Sequence, residues 1–161
     1  MFIQEAIFNN YDTETKRDFM VYENRVKKHR YTFLQDLPER IDEPSAAAAV
    51  FKQFLEDQDR EHFAALLLDR RGKIIGYHTV SIGSLSSSVV HPRETFKMAI
   101  LASASSIILG HNHPSGDVTP SQEDIGVTNR LIEAGKILGI EVLDHVIIGD
   151  GHFSFKEKGM M

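Results

Sequence analysis

The sequence predicts an α/β to α+β domain built around a mixed β-sheet. Three observations predict it. Apolar runs of strand length recur at residues 63–68, 74–82, 106–110 and 141–148; segments with helical spacing separate them; Gly, Pro, Ser and Asp cluster at the joins. At 161 residues with 42% hydrophobic content, one compact domain can bury a real core.

Residues 1–43 form an N-terminal extension, irregular in pattern and rich in charge. Within it, Phe19, Val21, Tyr22, Val26, Tyr31 and Phe33 alternate loosely with polar positions, so residues 18–33 read as a strand or hairpin. The basic run Arg25-Val26-Lys27-Lys28-His29-Arg30 fits a solvated face, with a nucleic-acid or partner patch as the alternative. The orderly domain spans residues 44–161. Pro44-Ser45 opens a helix that runs to Leu55, and strands at 63–68 and 74–82 follow, joined by the turn Asp69-Arg70-Arg71-Gly72. A polar loop at 83–88 leads through a turn at His91-Pro92 into a helix at 93–104, and then comes the strand at 106–110.

Thr119-Pro120-Ser121-Gln122 reads as a helix start, with Thr119 as N-cap, Pro120 in the first helical position and Gln122 completing a capping box. Ile125, Leu131, Ile132, Ile137 and Leu138 turn that helix towards the core, and Gly139 ends it. A strand at 141–148, the turn Gly149-Asp150-Gly151 and a last strand near 152–155 complete the order.

The chemistry concentrates at the end of the 106–110 strand. His111 and His113, at i and i+2, project from one side of an extended chain. Asp124 can return to that point through a short loop and the first helical turn, and Ser121, three residues earlier, shares its face. Two imidazoles and a carboxylate make three zinc ligands and leave a fourth position open, the arrangement of a catalytic site. On residue types alone, two ordinary histidines and a dipole-favoured aspartate explain the pattern equally well. The letters His-Asn-His are no evidence for the HNH nucleases, whose signature residues lie tens of positions apart.

Composition removes several classes. Without cysteine there are no disulfides, no Cys-rich zinc ribbons and no zinc deaminase signature. No stretch approaches the roughly 20 apolar residues of a membrane span, and Met1-Phe2-Ile3-Gln4-Glu5 lacks a basic region ahead of an apolar one, so a cytoplasmic protein without a membrane partner is expected. The formal charge of −5, from 23 acids against 18 Lys and Arg, provides no global drive towards DNA.

His111-x-His113, Ser121 and Asp124 match the JAMM motif of the JAB/MPN metallopeptidases without a gap. The flanking His91-Pro92-Arg93-Glu94, Ile107–Leu109 with Gly110, Pro114-Ser115-Gly116 and Leu143-Asp144-His145-Val146-Ile147-Ile148-Gly149 resemble the bacterial RadC-like branch over roughly residues 45–161. The resemblance implies a three-layer α-β-α fold and a Zn2+ ion held by His111, His113 and Asp124. It implies further that Glu61, where the apolar run at 63–68 opens, serves as general acid/base, in preference to the nearby Glu56, Asp57 and Asp59. Ser121 would then donate to the developing oxyanion. Asn112 replaces the Ser or Thr of many eukaryotic members, so deubiquitinating activity does not carry over. The helix-hairpin-helix segment usual in full-length RadC-like proteins is not seen in residues 1–43.

The expected function is therefore a JAMM-type zinc metallopeptidase that cleaves a peptide or isopeptide bond in a peptide or protein substrate. A zinc nuclease acting on nucleic acid is the alternative. It is less favoured because phosphodiester cleavage often uses two metals about 4 Å apart, and the acids here suffice for one site. A non-catalytic interaction module ranks third, since such relatives typically lack the ligands. His145 reads as a structural histidine, with a bracing role at the site as its alternative.

Overall fold

The continuous apolar run Phe63–Leu68 lies in a strand covered on both faces, because alternate side chains leave on opposite sides and none is polar. A computed structural model of the chain describes residues 38–83 and 90–161. The strand or hairpin expected at 18–33, the basic run at 25–30 and most of the loop at 83–88 lie outside the described residues. The elements are α1 (Pro44–Leu55), β1 (His62–Leu68), β2 (Ile74–Ile82), α2 (Pro92–Leu101), β3 (Ser106–Asn112), α3 (Gln122–Leu138), β4 (Glu141–Ile148) and β5 (His152–Ser154).

The strands form one mixed sheet in the order β2-β1-β3-β4-β5. β3 and β4 run parallel, and every other neighbouring pair is antiparallel. A parallel pair needs a crossover, which α3 supplies. Alternation along β1 splits the core in two. Ala64, Leu66 and Leu68 pack with Phe51 and Leu55 of α1, whereas Phe63, Ala65 and Leu67 pack with Phe96 of α2 and Val127 and Leu131 of α3. The result is helix, sheet, helices: the three-layer α-β-α arrangement. Among the described residues no helix is long and apolar enough to cross a membrane.

Three local expectations are corrected. α2 ends at Leu101, short of 104, because Ser103 takes a left-handed φ of 55° and Ser105 bonds through both its backbone N–H and its hydroxyl to the Leu68 carbonyl, feeding the chain into β3. The N-cap of α3 is Ser121 rather than Thr119. Its hydroxyl accepts from the Asp124 N–H, while the Asp124 carboxylate accepts from the Ser121 N–H, a capping box that outcompetes the Thr119 alternative. The buried stripe of α3 is Asp124, Val127, Thr128, Leu131 and Gly135, whereas Ile137 is 87% exposed and Leu138 45%. A reading by hydrophobicity passes over the two polar members and the glycine.

Gly135 explains the closeness of that fit. A Cβ built there would lie 2.5 Å from the Ile140 carbonyl oxygen, part of the backbone that turns from α3 into β4. Alanine normally gains about 1 kcal/mol over glycine inside a helix, but a forced overpacking costs about 1–3 kcal/mol. Gly135→Ala should therefore destabilise the protein in urea denaturation. A stabilised variant would show that α3 is free to shift on the sheet.

Candidate metal centre

The central strand β3 is buried along its whole length and ends beside the start of α3. His111 is its penultimate residue and His113 follows it, still tied in by its backbone N–H to the Ile148 carbonyl at 2.8 Å. Asp124 sits in the first turn of α3, where a carboxylate is favoured by the helix dipole. These three residues, two buried and His113 partly so, converge. His111 Nε2 lies 2.9 Å from His113 Nε2 and 3.2 Å from Asp124 Oδ1, and His113 Nε2 lies 3.5 Å from Asp124 Oδ2. Among the described residues no other trio of His, Cys, Asp or Glu converges in this way.

The donor set suits a metal. His113 Nδ1 faces the Asp117 carbonyl at 2.5 Å, and a carbonyl only accepts, so that nitrogen carries a proton and Nε2 is the one left to present a lone pair in the neutral ring. Burial lowers the pKa of His111 more than the nearby Asp124 and Glu61 raise it, which holds the ring neutral. Burial works against the Asp124 carboxylate, but the polar groups around it, the Ser121 N–H and hydroxyl among them, outweigh it and hold Asp124 well below the usual carboxylate range. Two imidazole nitrogens and the carboxylate oxygens thus gather within hydrogen-bonding or near-bonding reach of one another, a spacing that a cation among them would satisfy. The residues present thus fit a divalent ion.

Around the trio, each neighbour has a stated task. Ser121 donates its hydroxyl proton to Asp124 Oδ2 at 2.7 Å, so it is engaged with the carboxylate. Asn112, between the two histidines, turns to β1: its Nδ2 donates to the Arg60 carbonyl at 3.0 Å, and its Oδ1 accepts from the His62 N–H at 2.7 Å. This carboxamide acts as a peptide unit where the β1–β3 ladder ends, and it clamps the backbone on both sides of Glu61. Glu61 itself directly precedes β1, its carbonyl accepting from the Gly83 N–H. Its charge acts on His111. Of the competing acids, Asp59 pairs with Arg60 in solvent, and Glu56 closes α1.

Behind His111 lies His145 of β4, with Nε2 2.8 Å from His111 Nδ1 and Nδ1 2.6 Å from Thr128 Oγ1. Phe155 stacks on His145 at 4.9 Å and Phe63 meets it edge-on at 5.4 Å. His145 therefore touches a member of the trio, whereas its neighbour Asp144 turns away to Ser154 and the Lys156 N–H. Sequence reasoning notes Asn112 only as a departure within the motif and misses its tie to β1, and it misses Thr128 altogether. Thr128 had one usable signal, its place four residues after Asp124 on the same helical face.

A cavity of about 430 Å³ adjoins His113 and Asn112, lined also by Lys52, Glu56, Ile148 and Asp150. A larger one of about 660 Å³ lies near Arg70, Arg71 and Ser103, where β1 ends and β3 begins, remote from the imidazoles.

Comparison with known proteins agrees with this geometry. Residues 41–160 match the family described as the RadC-like JAB domain. The chain is 59% identical over 119 residues to a UPF0758 protein of Desulforamulus reducens, covering 73% of this chain and 52% of that protein. It is 54% identical over 121 residues to a UPF0758 protein of Rubrobacter xylanophilus, covering 75% and 53%. A UPF0758 protein of Methanosarcina acetivorans shares 48% identity over 131 residues, covering 81% and 57%. The chain spans about half the length of these curated relatives.

A pH dependence follows from the two buried imidazoles. Burial lowers the pKa of both His111 and His145, so the folded chain holds them neutral, while an unfolded histidine takes up a proton near pH 6.5. Stability of the metal-stripped protein should be level above about pH 6.5 and fall below it, by up to about 1.4 kcal/mol per pH unit for each histidine. Thermal midpoints measured across that range should drop on acidification, less steeply in His145→Gln. A midpoint that held steady down to about pH 5 would contradict this burial.

Proposed function

The chain belongs to the RadC-like JAB domain family, and on that premise we propose that it is a zinc-dependent hydrolase of peptide or isopeptide bonds. One observation carries the reading: three ligand atoms converge at the end of β3, with Glu61 held at the head of the neighbouring strand and a cavity alongside. Two imidazoles with one carboxylate suit zinc among the common divalent ions, and three protein ligands are the number usual in catalytic sites. Bound there, zinc would bring the pKa of a coordinated water from about 16 to near 7, making hydroxide available at neutral pH.

The chain's own residues then divide the work. His111, His113 and Asp124 hold the ion. Glu61 takes the proton from the attacking water and returns it to the leaving amine nitrogen. Ser121 keeps Asp124 in place; as oxyanion donor it would have to turn its hydroxyl from Asp124 Oδ2 to the substrate. Among the described residues, the stretch 77–82 of β2 pairs only with β1, which leaves it an edge along which an extended chain could add as a further strand. The acidic balance of the chain, −5, fits a protein substrate better than nucleic acid.

The test combines metal analysis with turnover. The wild type should carry about one zinc per chain, and His113→Ala should lose most of it. Glu61→Gln should keep zinc and fold while turnover drops by about two orders of magnitude. Each protein is incubated with a peptide library, linked ubiquitin-like conjugates, single-stranded DNA and duplex DNA. Glu61-dependent cutting of DNA with no peptide cleaved would establish the nuclease instead, and full zinc in His113→Ala would refute the site.

A further inference from the structure

The hydrogen bonds behind His111 leave no freedom in where their protons sit. Thr128 Oγ1 lies 2.6 Å from the Asp124 carbonyl and 2.6 Å from His145 Nδ1. A carbonyl oxygen only accepts, so the single hydroxyl proton of Thr128 goes to it. The threonine oxygen then meets His145 with lone pairs alone, and His145 Nδ1 must donate. A neutral imidazole has one proton, so His145 Nε2 is bare. It faces His111 Nδ1 at 2.8 Å, which must therefore donate in turn. That spends the proton of His111 and leaves its Nε2 with a lone pair towards His113 and Asp124.

We infer that Thr128 and His145 are positioning residues that select the Nδ1–H tautomer of His111, the form able to ligate a metal through Nε2. The inference rests on the metal-centre reading above and extends it to two residues that touch no ion. The chain of bonds begins on the backbone of Asp124 itself, so the residue that supplies the carboxylate also fixes, through three hydrogen bonds, the tautomer of a second ligand. The surroundings suit this task. Thr128 is 1% exposed and His145 0%, and Phe63 and Phe155 set the orientation of the His145 ring. Metal-bound histidines usually donate their second N–H to a carboxylate, a carbonyl or water. Here a neutral imidazole accepts it, which orients His111 without adding negative charge. The three ligands then bring a single negative charge, from Asp124, and a divalent cation held among them retains a net positive charge with which to polarise a substrate.

The experiment reads tautomers directly. The full chain, 15N-labelled and stripped of metal, is examined near pH 7.5 by long-range 1H–15N correlation of its imidazoles, and zinc affinity is measured separately by chelator competition. In the wild type both His111 and His145 should show the Nδ1–H pattern. Thr128→Val, nearly equal in shape but without a hydroxyl, should shift both rings towards Nε2–H and weaken zinc binding about 10- to 100-fold. Thr128→Ser, which keeps the hydroxyl, should restore the tautomers and the affinity; this conservative rescue separates positioning from mere packing. If Thr128→Val failed to fold, the wild-type spectrum and Thr128→Ser would still decide. Zinc bound tightly with His145 in the Nε2–H form would overturn the inference alone, as would unchanged tautomers and affinity in folded Thr128→Val. The assigned tautomers without any zinc binding would instead bring down the metal-centre reading on which it rests.

Discussion

One buried carboxylate constrains the whole head of this sheet. Asp124 is 3% exposed, and taking an ionised carboxylate out of water costs several kcal/mol unless its oxygens find donors or a cation. The start of α3 supplies part of the answer. As the third residue of the helix, Asp124 accepts from the Ser121 N–H and hydroxyl and donates its own N–H to the Ser121 oxygen. The cap of the helix and the carboxylate of the candidate centre are thus one structure. Capping boxes usually place Glu or Gln at that third position; the shorter aspartate keeps the carboxylate against the helix end, where one oxygen faces His111 and the other His113.

Sheet topology provides the rest. Because β3 runs parallel to β4, Leu109 pairs with His145, and the His145 ring leans along the strand to meet His111. Because β3 runs antiparallel to β1, Phe63 pairs with His111 and its ring stacks over the imidazole at 6.0 Å. The same antiparallel pairing brings the backbone around Glu61 beside Asn112, whose carboxamide extends the ladder by one more pair of hydrogen bonds. Four segments distant in sequence meet at one end of the sheet, each tied by hydrogen bonds that leave few polar atoms unpaired.

What the sequence made legible was local. His111 and His113 two apart at a strand end, and Asp124 in a first helical turn, stand out by spacing, which ordinary residues fit equally well until the family resemblance is added; the Gly139 stop, with its φ of 69°, is legible directly. The strand at Glu141–Ile148 needed nothing beyond an apolar run between turns. The misreadings have non-local causes. Thr119 and Ser121 are equally good caps on residue type, and only the need to satisfy Asp124 chooses between them. Ile137 and Leu138 look like core but are exposed in the last turn of α3, while Thr128 is buried because its hydroxyl donates to the Asp124 carbonyl and accepts from His145 there. A polar residue whose partner comes from another strand carries no period and no motif, so Asn112, too, could only be understood once β1 stood beside β3.

The two histidines of the candidate centre are held in different ways, and the difference divides the site. His111 is fully buried and governed by side chains, through His145 and Thr128, inside the core between the sheet and α3. His113 is 14% exposed and governed by a backbone carbonyl, that of Asp117, in the loop that follows β3. That loop is pressed against the β4–β5 turn: a Cβ at Gly149 would lie 2.3 Å from the Gly116 carbonyl oxygen, and the Asp150 N–H bonds to the same oxygen at 2.9 Å. The inner half of the site is therefore part of the fold and shares its cooperativity, while the outer half depends on a loop contact that substitutions in the turn can alter. The cavity lined by Lys52, Glu56 and Asp150 opens on the outer half. Changes in what reaches the centre can thus act through His113 and its loop while the pairing of His111 with Asp124, on which the burial of the carboxylate depends, stays as it is.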